Sequence, residues 1–131
     1  MTVSLAALRR QLRDLQKRWR MQDWAISLKL VEYLGADPSP YASSTSDTND
    51  RSATIEIARR LAPDHAPIPD TPEMLLAHEF AHILLAELDS QFRYAVRNES
   101  VDWRAACMGP WNVARERFCN AFAEAVTGGD R

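Results

Sequence analysis

Two histidines four residues apart, His78 and His82, lie in a stretch that is otherwise almost wholly uncharged: Leu75-Leu-Ala-His-Glu-Phe-Ala-His-Ile-Leu-Leu85. Side chains at i and i+4 leave a helix on one face, one turn apart. The pair therefore calls for a helix, and its flanking residues (Leu75, Leu76, Phe80, Ala81, Ile83, Leu84) ask for that helix to pack against the rest of the chain. A start signal stands upstream in Asp70-Thr71-Pro72-Glu73. Asp70 can cap, Pro72 suits the first turn, and Glu73 completes a capping-box pattern. The spacing predicts a helix from there to about Leu88.

The rest of the chain supplies partners for such a helix. Leu5, Leu8, Leu12, Leu15 and Trp19 recur at intervals of three and four, which predicts an amphipathic helix over about 3–20. Trp24, Ile26, Leu28 and Leu30 alternate with Ala25, Ser27, Lys29 and Val31, as in a strand ending near Tyr33. Residues 35–50 read as a long polar loop, with room for a third strand between Tyr41 and Thr48 or over 90–98. Ala53 to Ala58 reads as a strand. Pro63, Pro67 and Pro69 make Leu61 to Asp70 an extended connector. Residues 89–108 read as partly helical, Gly109-Pro110 as punctuation, and about Trp111 to Val126 as a last helix ended by Gly128-Gly129. The expected class is α+β, with helices on a small, mostly antiparallel sheet, in a single domain over 1–131.

Composition removes several alternatives. The chain has 131 residues, 46% of them apolar and 26% charged, which suits one globular domain with a real core. No apolar run approaches the roughly 18 residues of a membrane span. Cys107 and Cys119 are too few for a disulfide scaffold, and without a signal-peptide pattern they are expected as free thiols in the cytoplasm. Residues 1–20 hold six Lys/Arg and one Asp, net +5; the remainder hold ten basic and seventeen acidic residues, net −7. The basic residues lie mostly off the leucine stripe, as on a solvated helix face. The acidic remainder argues against nucleic acid as a partner.

His78-Glu79-Phe80-Ala81-His82 is an H-E-x-x-H motif. Two imidazoles one turn apart can share a Zn²⁺ ion at roughly 2.0–2.1 Å. Glu79, next to the first of them, can reach a water activated by that ion without itself ligating, and so can act as general base. A third protein ligand is needed. The longer H-E-x-x-H-x-x-G-x-x-H form would require Gly at 85 and His at 88, where the chain has Leu85 and Leu88. Glu87 points away from the histidine face, Asp89 lies two turns past His82, and His65 sits in the Pro-rich connector. Better placed are acids of the last helix, where Glu116, Asn120 and Glu124 share a face at i, i+4 and i+8. Glu116 leads, because Asn120 one turn on can hydrogen-bond a ligand from the second rank; Glu124 is the alternative.

These two segments, Leu75–Leu85 and Glu116-Arg-Phe-Cys-Asn-Ala-Phe-Ala-Glu-Ala-Val126, resemble those of a gluzincin-type zincin metallopeptidase. The resemblance covers about half of the chain and is nearest to small phage- or mobile-element-associated proteins of the ImmA/IrrE group. It implies a minimal zincin core, zinc held by His78, His82 and Glu116, and catalysis by Glu79. The chain departs from the group's usual Gly before the second histidine, with Ala81, and from its usual Glu-Ala before the Asn, with Phe118-Cys119. Zincins also take substrate along an edge strand, for which Ala53–Ala58 stands in the right order. An oxyanion stabiliser is to be sought among Tyr41, His65, Tyr94, Arg97 and Arg115; Cys107 and Cys119 read as structural thiols. The expected function is a zinc-dependent peptidase of narrow specificity acting on a peptide or protein. The alternative is a zincin-shaped regulatory module that binds a partner with little or no general protease activity.

Overall fold

The leucine stripe forms α1 (Leu5–Arg18), with Leu8, Leu12 and Leu15 buried. Ser4 caps it by accepting from the Ala7 N–H at 3.2 Å. Lys17 and Arg18 fall in the last turn, where positive charge suits the helix dipole. The chain then reverses through Arg20, whose φ of 58° is left-handed. That turn is held by the Gln16 side-chain amide, which donates to the carbonyls of Met21 and Trp24, both at 2.9 Å. The computed structural model describes residues 4–32, 41–59 and 71–128; the expected connector over 61–70, with Asp70 and His65, lies outside them.

Three strands follow, β1 (Ala25–Val31), β2 (Ala42–Asp47) and β3 (Ser52–Ala58), in the spatial order β1-β3-β2. β1 runs parallel to β3 and β2 antiparallel to it. The sheet is thus mixed rather than mostly antiparallel: a parallel neighbour needs a crossover, and β2 takes up part of the chain between β1 and β3. The third strand falls in the Tyr41–Thr48 window of the long polar stretch, not over 90–98, which is mostly helical. Its sequence, Ala-Ser-Ser-Thr-Ser-Asp, has little apolar alternation to announce it. It is held by pairing with β3 and by a turn in which the Asp47 carboxylate accepts from the Asn49 and Asp50 N–H groups at 2.9 and 3.2 Å.

Register decides which face meets the helices. Directly paired residues share a face, so Leu28, Ile55 and Ser44 form one row. The adjacent rows are Ile26, Ala53 and Ser46 on one side, and Leu30, Ile57 and Ala42 on the other. Ile55 and Ile57 are fully buried. This face is therefore apolar across β1 and β3 and becomes small and partly hydroxylic at β2. A groove results where β2 meets the next helix.

That helix is α2 (Pro72–Leu84), with Pro72 at its start and the cap supplied by Thr71, whose hydroxyl accepts from the Met74 N–H at 3.1 Å. Thr71, not Asp70, is the N-cap, since it directly precedes the proline. Leu76, Ala77, Phe80 and Ala81 are fully buried, and α2 packs against α1, β2, β3 and the later helices. Apolar residues on nearly all sides mark a central helix. It ends before Leu88: the Leu85 N–H still bonds to the Ala81 carbonyl, and the chain then turns into α3 (Ala86–Val96), which contributes no buried residue.

The last helix, α4, spans Val101–Val126 and passes straight through Gly109-Pro110, contrary to the expected break. A proline at 110 removes the N–H that would bond the Ala106 carbonyl. Both residues are exposed, so water can satisfy the freed carbonyl. Its buried residues, Cys119, Phe122 and Ala123, all lie in the C-terminal half. Phe122 packs on Phe80 with ring centroids 6.2 Å apart, and on Trp19 at 5.3 Å. No helix among the described residues is long and apolar enough to cross a membrane.

Leu76 is fully enclosed where α2 meets the cluster of buried residues. Leu76→Ala should cost about 2–5 kcal/mol, read as a lower urea midpoint at unchanged slope.

Candidate metal centre

α2 carries His78 and His82 on one face, their ring centroids 5.0 Å apart and their Nε2 atoms separated by 3.3 Å. α4 brings Glu116 to them. Its Oε1 lies 2.8 Å from His78 Nε2 and its Oε2 3.3 Å from His82 Nε2. The possible ligand atoms of the three residues all lie within 4.8 Å of one another, a group that can hold a metal ion. Donors on a tetrahedron with bonds of roughly 2.0–2.1 Å stand about 3.3 Å apart, which is the scale of these separations. The two imidazoles are mostly buried and the carboxylate is half exposed. The site is thus anchored on the α2 side and open on the α4 side.

Burial lowers the pKa of His82; the charge of Glu116 opposes this, while His78 and Arg115 add to the lowering. The neutral imidazole, the form that ligates a metal, is therefore favoured. Glu79, one residue past His78, is 8% exposed. Its burial raises its pKa above the ordinary carboxylate value, a hydrogen bond with the Ser44 side chain and the His78 charge temper the rise, and Glu116 adds to it. Ser44 comes from β2, on the face that register turns toward α2. Glu79, Ser44, the two histidines and Glu116 line one cavity of about 830 Å³.

Asp89 is not a member of the ligand group. Its carboxylate accepts from Trp111 Nε1 at 2.6 Å, Arg93 Nε at 2.9 Å and Arg115 Nη1 at 3.0 Å. Burial pushes its pKa up, but the bonds from Trp111 and Arg93 and the two arginine charges outweigh this and hold it below the usual carboxylate range. Phe92 stacks on Trp111 with centroids 4.8 Å apart. The result is a clamp between α3 and α4 one residue before Glu116. Arg115 Nε, by contrast, is buried with no acceptor among the described residues.

The other candidates separate cleanly. Glu124 lies outside the ligand group. Asn120 lines the cavity without a hydrogen bond to Glu116 among the described residues. Of the oxyanion candidates, Tyr41 and Arg115 line the cavity. Arg97 instead stacks on the Tyr94 ring, 3.4 Å from its centroid. β3 cannot be a substrate-binding edge, because it is the central strand; the edge beside the site is β2. Cys107 and Cys119 are free thiols. Cys119 is fully buried, and burial together with the nearby Glu116 and Glu79 pushes it up to about 12. The contributions of Ser44, Arg93 and Trp111 went unread in the sequence. The i, i+4 pairs Asp89/Arg93 and Trp111/Arg115 were the available sign of two faces in contact; Ser44 had none, because its strand is nearly all polar. The chain matches no known family model, curated protein or solved structure.

Because the folded state lowers the pKa of Asp89, its ionised form adds stability above the unfolded value near 3.9, and this is lost as pH falls through the folded value. Asp89→Asn should cost about 1–3 kcal/mol at pH 7. The gap to wild type should close below about pH 4, as followed by urea unfolding at a series of pH values.

Proposed function

We propose that the chain is a zinc-dependent metallopeptidase with a minimal zincin-like core, cleaving a narrow range of peptide or protein substrates. The observation that carries this reading is the convergence of two imidazole Nε2 atoms and one carboxylate beside a buried glutamate, in one cavity. Two nitrogens and one oxygen are the donor set of catalytic zinc sites that keep a fourth position open.

His78, His82 and Glu116 would hold the ion. Bound there, zinc supplies Lewis acidity, making water acidic enough to deprotonate near neutral pH and polarising the amide carbonyl. Glu79 takes the proton of the attacking water on its carboxylate and delivers it to the nitrogen of the leaving amine. Its raised pKa suits the first half of that transfer, since a stronger base accepts the proton more readily. The Ser44 hydroxyl holds the same carboxylate from the β2 side. Residues from both faces of β2, Ser43 and Ser44, line the cavity, so the cavity follows the outer edge of that strand. An extended peptide pairing with this edge would pass over the metal group.

Two substitutions test the reading. Glu79→Gln should keep zinc, measured by metal analysis of the purified chain, and lose about 10²–10⁴-fold in peptide cleavage. Glu116→Ala should weaken zinc binding by more than the roughly 10–100-fold typical of outer-rank partners, measured by competition with a chromophoric chelator. A wild-type chain that takes up no zinc would overturn the assignment. A zinc-loaded chain silent against every peptide in a mixed digest would turn it toward a partner-binding module.

A further inference from the structure

One part of the cavity wall is made by Asp89 and Arg93 of α3 and Arg115 of α4. A single carboxylate there serves two guanidiniums, so one positive charge remains uncompensated. Each guanidinium carries five N–H groups in a rigid fork. Asp89 takes one from Arg93 and one from Arg115; none of their remaining terminal N–H groups meets an acceptor among the described residues. The Arg115 side chain is only 24% exposed, so little water is available to replace a missing partner. The fork is also fixed in place, because Asp89 is held by the Trp111 indole, which Phe92 stacks upon. Arg115 directly precedes Glu116, and its charge is felt at His82, so this positive wall borders the metal group.

We infer that Arg93 and Arg115 form a carboxylate-binding subsite, which holds an acidic side chain or the C-terminal carboxylate of a peptide beside the metal centre. This rests on the peptidase reading for the ligand being a peptide. A carboxylate matches the two-pronged donor geometry of a guanidinium. The acid nearest to the two guanidiniums does not repel it, because Asp89 is neutralised by the arginines themselves. The pair therefore acts on specificity, selecting where along an extended chain the acid must stand relative to the cleaved bond.

The test uses the full chain and four N-acetylated hexapeptides. One pair differs only in a free C-terminal acid or its amide; the other, amidated at the C-terminus, only in Glu or Gln at one position. Binding is followed by calorimetry, on Glu79→Gln loaded with zinc and on the same protein after chelation. At least one acid peptide should bind about tenfold tighter than its amide partner, both with and without zinc. Whichever pair shows the preference identifies the source of the carboxylate. The preference should fall below about twofold in Arg93→Gln and in Arg115→Gln. Arg93 is the half-exposed member, so its variant remains informative if Arg115→Gln does not fold. Equal binding of acid and amide, or a preference that survives both arginine substitutions, or one that vanishes on chelation, overturns the subsite. Zinc content and cleavage by the wild-type chain are scored separately. A missing preference in a zinc-holding, peptide-cleaving chain therefore sinks the subsite alone, whereas absent zinc and cleavage sink the peptidase reading.

Discussion

The packing of α4 on α2 is the contact on which the site depends. Phe122 and Ala123 are buried against the helix that carries both histidines, with Phe80 and Phe122 stacked between the two helices. Glu116 lies on the same helix, less than two turns earlier, and gains its position from that contact rather than from its own surroundings, since it is half exposed. Two helices thereby bring together three residues that could hold a metal ion, without help from a loop. Sites built on regular elements hold their geometry more closely than sites built on loops.

The sheet contributes by being unequal across its width. Ile55 and Ile57 in the centre press on α2, while the same face at β2 ends in Ala42, Ser44 and Ser46. Small side chains there leave space instead of filling it, and that space is the cavity. The hydroxyl of Ser44 then offers a polar partner to Glu79, a carboxylate that would otherwise stand buried and unmatched. An aliphatic residue at position 44 would bury Glu79 with one fewer hydrogen bond and narrow the groove at once.

What the sequence revealed and what it concealed follow from the range of the forces involved. Helical periodicity and capping are local, so α1, α2 and the histidine pair could be read directly. Glu116 could be singled out because its helix face repeats at i, i+4 and i+8. The direction of β1 against β3 is set by a crossover, which no local pattern encodes. β2 could be placed only as one of two possible windows, because its stability comes from a neighbouring strand and an Asp47 turn rather than from its own alternation. Pro110 misled for the opposite reason: the local rule is sound, but the carbonyl it frees faces water, so the helix continues. The Asp89 clamp joins residues 22 and 26 positions apart, beyond the reach of any single helix pattern.

Pro110 has a further meaning when set beside that clamp. The hydrogen-bond ladder of α4 is interrupted at the Ala106 carbonyl, and the next residue after the proline, Trp111, is the one tied to Asp89 and stacked on Phe92. Between Val101 and Pro110 no residue is buried. The helix therefore consists of two cooperative units in series: an outer segment that can open at little cost, and an inner one whose opening must break the clamp and expose Phe122. Fraying that begins at Ser100 meets a boundary before it reaches Glu116, so the inner part of α4 is insulated from the fluctuations of its outer turns.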